Sequence, residues 1–122
     1  MPRAILDEAQ IHPAIRSKVA GHQQDIVQEV MAAVRSNAVV VVGMAMNPFP
    51  GKAKAALAQA GQAFKYLEYG SYFSRWRERN ALKLWTGWPT FPMVFVKGTL
   101  IGGFKDLQAL IDSDELKRML AG

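Results

Sequence analysis

Whatever chemistry this chain performs, it performs without a thiol, because its sequence contains no cysteine. Thiol-disulfide exchange needs a thiolate and iron-sulfur clusters are held chiefly by Cys thiolates, so neither reaction is expected of its own residues. Disulfide scaffolds and cysteine zinc sites are excluded for the same reason. The two histidines, His12 and His22, stand near the amino terminus without other ligand types at a recognisable spacing, so no metal site is expected. Asn47 has no general base beside it and reads as a helix cap, not a nucleophile. What remains is binding chemistry, concentrated in two places. One is residues 85–103, where Trp88-Pro89-Thr90-Phe91-Pro92 precedes a tight hairpin and the pair Gly102-Gly103. The other is a basic run, Arg75, Arg77, Arg79 and Lys83, interleaved with Trp76.

Stacking on Trp76 and phosphate contacts from the arginines would suit a nucleic acid. Arg75, Arg77 and Arg79, however, alternate along a helix, which spreads them around it instead of lining one groove. Nucleic acid is therefore not expected, and a solvated face is the plainer reading. The net charge of +5 attracts anions only in a general way.

The elements that must position these residues follow from periodicity. Ile11, Ile15 and Val19 recur four apart, and Ile26, Val27, Val30, Met31 and Val34 form a second apolar stripe. Pro13 fits only near a helix start, so a short helix from about His12, a weak point near Gly21 and a longer helix to Arg35 are expected. His12 and His22 then lie on the surface. The four valines at 39–42 are β-branched and wholly apolar, as a central strand covered on both faces requires. A loop follows, then an Ala-rich helix to Gln62 with Asn47 as N-cap and Pro48 at the first helical position. Residues 64–69 are the next strand, and strand, helix, strand implies a right-handed parallel crossover. Ser71 caps a helix expected from Tyr72 to about Leu84. Residues 93–96 and 99–101 form a hairpin across Lys97-Gly98. Two helical pieces, 106–111 and 114–120, close the chain, the second capped by Ser113.

No repeat, linker or shift in composition divides the 122 residues. A single domain over 1–122 is expected, with a helical extension over 1–37 and a core over 38–122. Asp7 and Glu8 fall where a signal peptide would be continuously apolar, and no later stretch approaches the length of a membrane span. The expectation is a cytoplasmic protein without membrane contact.

From residue 39 to about 110 the chain resembles the glutaredoxin family, in the wording of its monothiol branch. Trp88-Pro89-Thr90-Phe91-Pro92, the hairpin and Gly102-Gly103 are the most specific piece. Together with the order of elements, the resemblance implies a thioredoxin-like α/β fold: a four-stranded mixed sheet flanked by helices, here with extra N-terminal helices. It implies that the Phe91–Pro92 bond is cis, and that the N–H and C=O of Phe91 pair with the cysteinyl part of glutathione as a sheet edge takes up a peptide. Thr90, Phe91 and Pro92 are then groove residues. Arg79 falls at the family's arginine for the glycine carboxylate, which a guanidinium fork suits. Gly103, Phe104, Lys105 and Asp106 match the segment for the γ-glutamyl end, with Phe104 where the family has Cys and Lys105 where it has Ser or Asp. The family's catalytic cysteines fall on Asn47 and Pro50, and its pKa-lowering lysine on Met44. Pro50 also removes a backbone donor from the first helical turn.

The resemblance thus implies a non-catalytic module that binds glutathione or an extended peptide, with no cofactor required. An adaptor is the alternative, docking a protein partner on Met44, Met46, Phe49 and Trp88, with the loop methionines partly exposed. A residual part in glutathione-linked redox or iron-sulfur pathways, through a partner's thiols, is the third. Trp88 and Phe91 also admit a plain packing role beside the proline.

Overall fold

The computed structural model describes residues 3–121; Met1, Pro2 and Gly122, the ends of the expected domain, lie outside the described residues. A short 3₁₀ turn, Glu8–Gln10, leads into two helices, α1 (Pro13–Gly21) and α2 (Gln24–Ser36). The break between them is at Gln23, whose φ of 49° is left-handed. His12 caps α1 by accepting the Ala14 N–H at Nδ1, 3.0 Å away. Helix α1 buries none of its residues, whereas α2 buries Ile26, Val27 and Val30.

The valine run forms β1 (Val39–Gly43), and every residue in it is buried. It lies inside a sheet of order β2-β1-β3-β4, parallel to β2 (Lys65–Glu68) and antiparallel to β3 (Met93–Val96). β3 pairs antiparallel with β4 (Thr99–Gly102) across the Lys97-Gly98 turn. Alternation sends Val40, Val42, Met93 and Phe95 to one face, against α2 and against Ala81 and Leu82 of α4 (Trp76–Thr86). Val39, Val41, Val94 and Val96 go to the other face. There they meet Ala53 and Leu57 of α3 (Pro48–Gln59), Leu107 of α5 (Phe104–Asp112) and Leu116 of α6 (Glu115–Ala121). Each fully buried Val or Leu stabilises the fold by about 1.5–3 kcal/mol relative to exposure, so this double-faced strand anchors the loops at its end. No helix among the described residues is long and apolar enough to cross a membrane.

Three sequence expectations are corrected. Helix α4 starts at Trp76, not Tyr72, because the chain enters it through Arg75 at a left-handed φ of 55°. Ser71 accordingly caps a turn: its Oγ accepts the Phe73 N–H at 3.2 Å. The helix expected to run to Gln62 ends at Gln59, and Gly61, at a φ of 72°, supplies the left-handed stop. Met44, expected to be partly exposed, is buried with Tyr69, Phe91 and Val42 in the first core cluster. A loop position beside a strand end still gains from burying an apolar side chain, and periodicity does not report it.

Candidate functional site

The carboxyl end of β1 meets the start of α3 at very close range. A Cβ on Gly43 would lie 2.7 Å from Pro50 Cβ and 2.8 Å from the Tyr66 hydroxyl, so only glycine permits this approach. The loop then passes through Met46, at a φ of 68°, to Asn47. Asn47 caps α3, its Oδ1 accepting the Phe49 N–H at 2.9 Å, while its Nδ2 donates to the Phe91 carbonyl at 3.2 Å. Pro48 and Pro50 have no N–H, so the first turn of α3 is left with no free donor for an anion.

Across from this turn, the Phe91–Pro92 peptide is cis. The Phe91 side chain is buried, the adjacent Thr90 is exposed, and the Phe91 N–H has no hydrogen-bond partner among the described residues. Trp88 is half-buried and donates its backbone N–H to Thr86 Oγ1 at 3.1 Å, but its indole Nε1 is buried without a partner among the described residues. At Gly103 an added Cβ would stand 3.5 Å from the Pro92 carbonyl and 3.7 Å from that Nε1, ordinary contact distances. Asp106 turns back to accept the Gly103 N–H at 3.0 Å, which caps α5. Phe104 is half-buried with its ring 6.3 Å from that of exposed Phe49, and Lys105 is exposed without an ion pair among the described residues.

Positive charge rims this surface. Lys52 lies 5.0 Å from the Phe49 ring centroid and Lys83 lies 5.9 Å from that of Phe91. Arg79 is different. It is only 6% exposed, and its Nη1 donates to the carbonyls of Tyr69, at 3.0 Å, and Ser74. The expected solvated arginine face therefore holds for Arg75 and Arg77 but not for Arg79, whose buried charge is held by carbonyl dipoles.

The structure thus brings Asn47, Phe49, Phe91, Pro92, Trp88, Gly103 and Phe104 into one region through the contacts just described. Two cavities lie elsewhere. One, of about 440 Å³, is lined by residues 34–38, Lys97 and Gly98; the other, of about 260 Å³, lies between the ends of α3, α5 and α6. Sequence reasoning missed the Asn47 to Phe91 link, which spans 44 residues and leaves no local signal. It also missed the cations over Phe49 and Phe91. For the lysine over Phe49 a signal existed, since Lys52 follows it by one turn of α3.

The Glutaredoxin family model matches residues 39–101. A "Glutaredoxin-like protein" of Dictyostelium discoideum is 50% identical over 92 residues, covering 75% of each chain. A "Probable monothiol glutaredoxin 2" of Rickettsia felis is 35% identical over 77 residues, 63% of this chain and 71% of its own length. Among solved structures, a buckwheat glutaredoxin-glutathione complex superposes with a TM-score of 0.71 at 25% identity, covering 83% of this chain and 92% of that one. Sheet order, flanking helices and sequence agree, and this cysteine-free chain belongs to the glutaredoxin family.

Proposed function

We propose that the chain is a non-catalytic binding module of its family, cytoplasmic, which takes up glutathione or an extended peptide along the cis-proline loop and exchanges no thiol. The observation that carries this reading is the Phe91 N–H beside Pro92, which has no partner among the described residues. Asn47 occupies one lone pair of the Phe91 carbonyl, and the second lone pair and the N–H stay available to an extended backbone. Thr90, Pro92, Gly103, Phe104 and Asp106 wall the groove. Lys105 meets the α-carboxylate of the γ-glutamyl end. Arg79 is the group assigned to the glycine carboxylate, although it is only 6% exposed and its Nη1 is held by the Tyr69 and Ser74 carbonyls. That one solved relative was crystallised with glutathione supports glutathione as the kind of ligand. Without a cysteine, no turnover of a glutathione mixed disulfide above the uncatalysed rate is expected. Calorimetry with reduced glutathione tests the binding: heat saturating at millimolar ligand is expected, and a flat titration rejects it.

A second reading has its own observation. Met46 and Phe49 are exposed, and Phe49 sits beside the Phe104 ring over the groove, as in an adaptor that uses this surface for a protein. Met46→Asp separates the two. It should abolish capture of a protein partner if the adaptor reading is right, and leave glutathione heat unchanged if the groove reading is right.

A further inference from the structure

Residues 70–77 carry an aromatic platform that the groove does not use. Tyr72, Phe73 and Trp76 are 58%, 85% and 56% exposed. Such exposure usually accompanies a loose loop, but this one is pinned from several sides. Arg79 holds the Tyr69 and Ser74 carbonyls from inside. The Ser74 N–H donates to the Ser71 carbonyl at 3.2 Å, and the Ser71 N–H donates to Ser74 Oγ at 3.1 Å. The Ala45 N–H donates to the Gly70 carbonyl at 2.7 Å, which ties the loop to the one after β1. Gly70 itself has a φ of 70°, and a Cβ there would lie 2.6 Å from the Ser74 carbonyl oxygen. The aromatic side chains are therefore presented from a backbone already ordered, which lowers the entropy lost on binding.

The platform carries charge of one sign in excess. Arg77 stands 5.4 Å from the Trp76 ring centroid and pairs with no carboxylate among the described residues. Arg75 stands 5.1 Å from the Tyr69 ring and 3.9 Å from Glu78. Tyrosine, tryptophan and arginine on a rigid base are the composition of protein–protein hot spots. A nucleic acid or an anionic bilayer needs several unpaired cations side by side, and here Glu78 offsets one of the two exposed arginines. We infer that residues 70–77 dock an acidic protein segment that carries aromatic side chains, with a carboxylate on Arg77 and its rings on Phe73 and Trp76.

A random copolymer of glutamate and tyrosine is the probe, followed by backbone amide shifts of the full chain at low salt. Saturable shifts confined to residues 70–77 are expected. Phe73→Ser and Arg77→Glu should each weaken binding at least tenfold, and polyglutamate without tyrosine should bind at least tenfold more weakly than the copolymer. No shift at these residues overturns the inference, as does binding indifferent to Phe73→Ser. Tighter binding of an oligothymidylate or of phosphatidylglycerol vesicles overturns it in favour of those partners.

Discussion

Asn47 Nδ2 donates to the Phe91 carbonyl at 3.2 Å, so this side chain fastens the first turn of α3 to the cis-proline loop. The same side chain caps the helix through Oδ1. One amide therefore does two separable things, and substitutions can divide them.

Asn47→Ala removes both and should cost about 1–3 kcal/mol, combining a lost cap with a lost hydrogen bond. Asn47→Ser keeps an oxygen for the Phe49 N–H but no donor that reaches Phe91, and should cost less than half as much. Urea unfolding of the two variants checks the split. Equal losses would mean that the cap contributes nothing and that the Phe91 link carries the whole effect, and no loss in Asn47→Ser would mean that the link contributes nothing.

Arg79 is a structural bracket before it is anything else. Arg79→Ala should destabilise by about 2–4 kcal/mol, because two loop carbonyls lose a charged donor at a buried position. Arg79→Lys should recover little of it, since an ammonium on a flexible stem does not reproduce the planar fork. Hydrogen exchange localises the effect: amides of residues 70–75 should lose more protection than those of β1, which fall only by the global loss. Uniform loss across the sheet would place the role of Arg79 elsewhere.

Tyr69 and Glu29 give the fold an alkaline limit. The Tyr69 hydroxyl donates to the Glu29 carboxylate, and burial, with that carboxylate, pushes the phenol far above the ordinary tyrosine value. A phenol raised in the folded state contributes its full stabilisation below its unfolded value of about 10, and loses it as pH rises toward the folded value. Tyr66, raised by burial and by Glu68, acts in the same direction, so the informative comparison is Tyr69→Phe against wild type. At pH 8 the variant should be less stable by about 1 kcal/mol. Above pH 10 the wild type should decline more steeply, by up to about 1.4 kcal/mol per pH unit for the one extra proton. Parallel declines would show that Tyr69 does not couple to folding.

These residues also mark what sequence can and cannot convey. The valine strand, the Lys97-Gly98 hairpin and the Asn47-Pro48 helix start are each written in adjacent residues, and the structure has them where periodicity and capping put them. The N-cap was legible because the cap bond spans two residues; the Phe91 link made by the same side chain was not. Ser71 resembles a helix cap locally, and only the left-handed Arg75 four residues on delays α4. Arg79 looked like one more surface charge in a basic run, since burial of a guanidinium depends on carbonyls that the fold, not the neighbouring sequence, delivers. Met44 was misread for the same reason.

A thiol introduced at position 47 tests what the start of α3 does to a titratable group. A cysteine at the start of a helix normally has a depressed pKa because backbone N–H groups and the helix dipole favour the thiolate. Here Pro48 and Pro50 remove two of those donors and leave only the Phe49 N–H. Position 44 is methionine, so no cation there assists the thiolate. Asn47→Cys should therefore give a thiol that titrates between about 7 and its ordinary 8.5, with weak activity toward a glutathione mixed disulfide. Adding Pro50→Ala returns one N–H to the turn and should lower the thiol pKa further, by about half a unit or more. The pH dependence of iodoacetamide alkylation reads both values. A pKa below about 6 in the single variant would mean that the helix dipole alone suffices, and that the two prolines did not disarm this site.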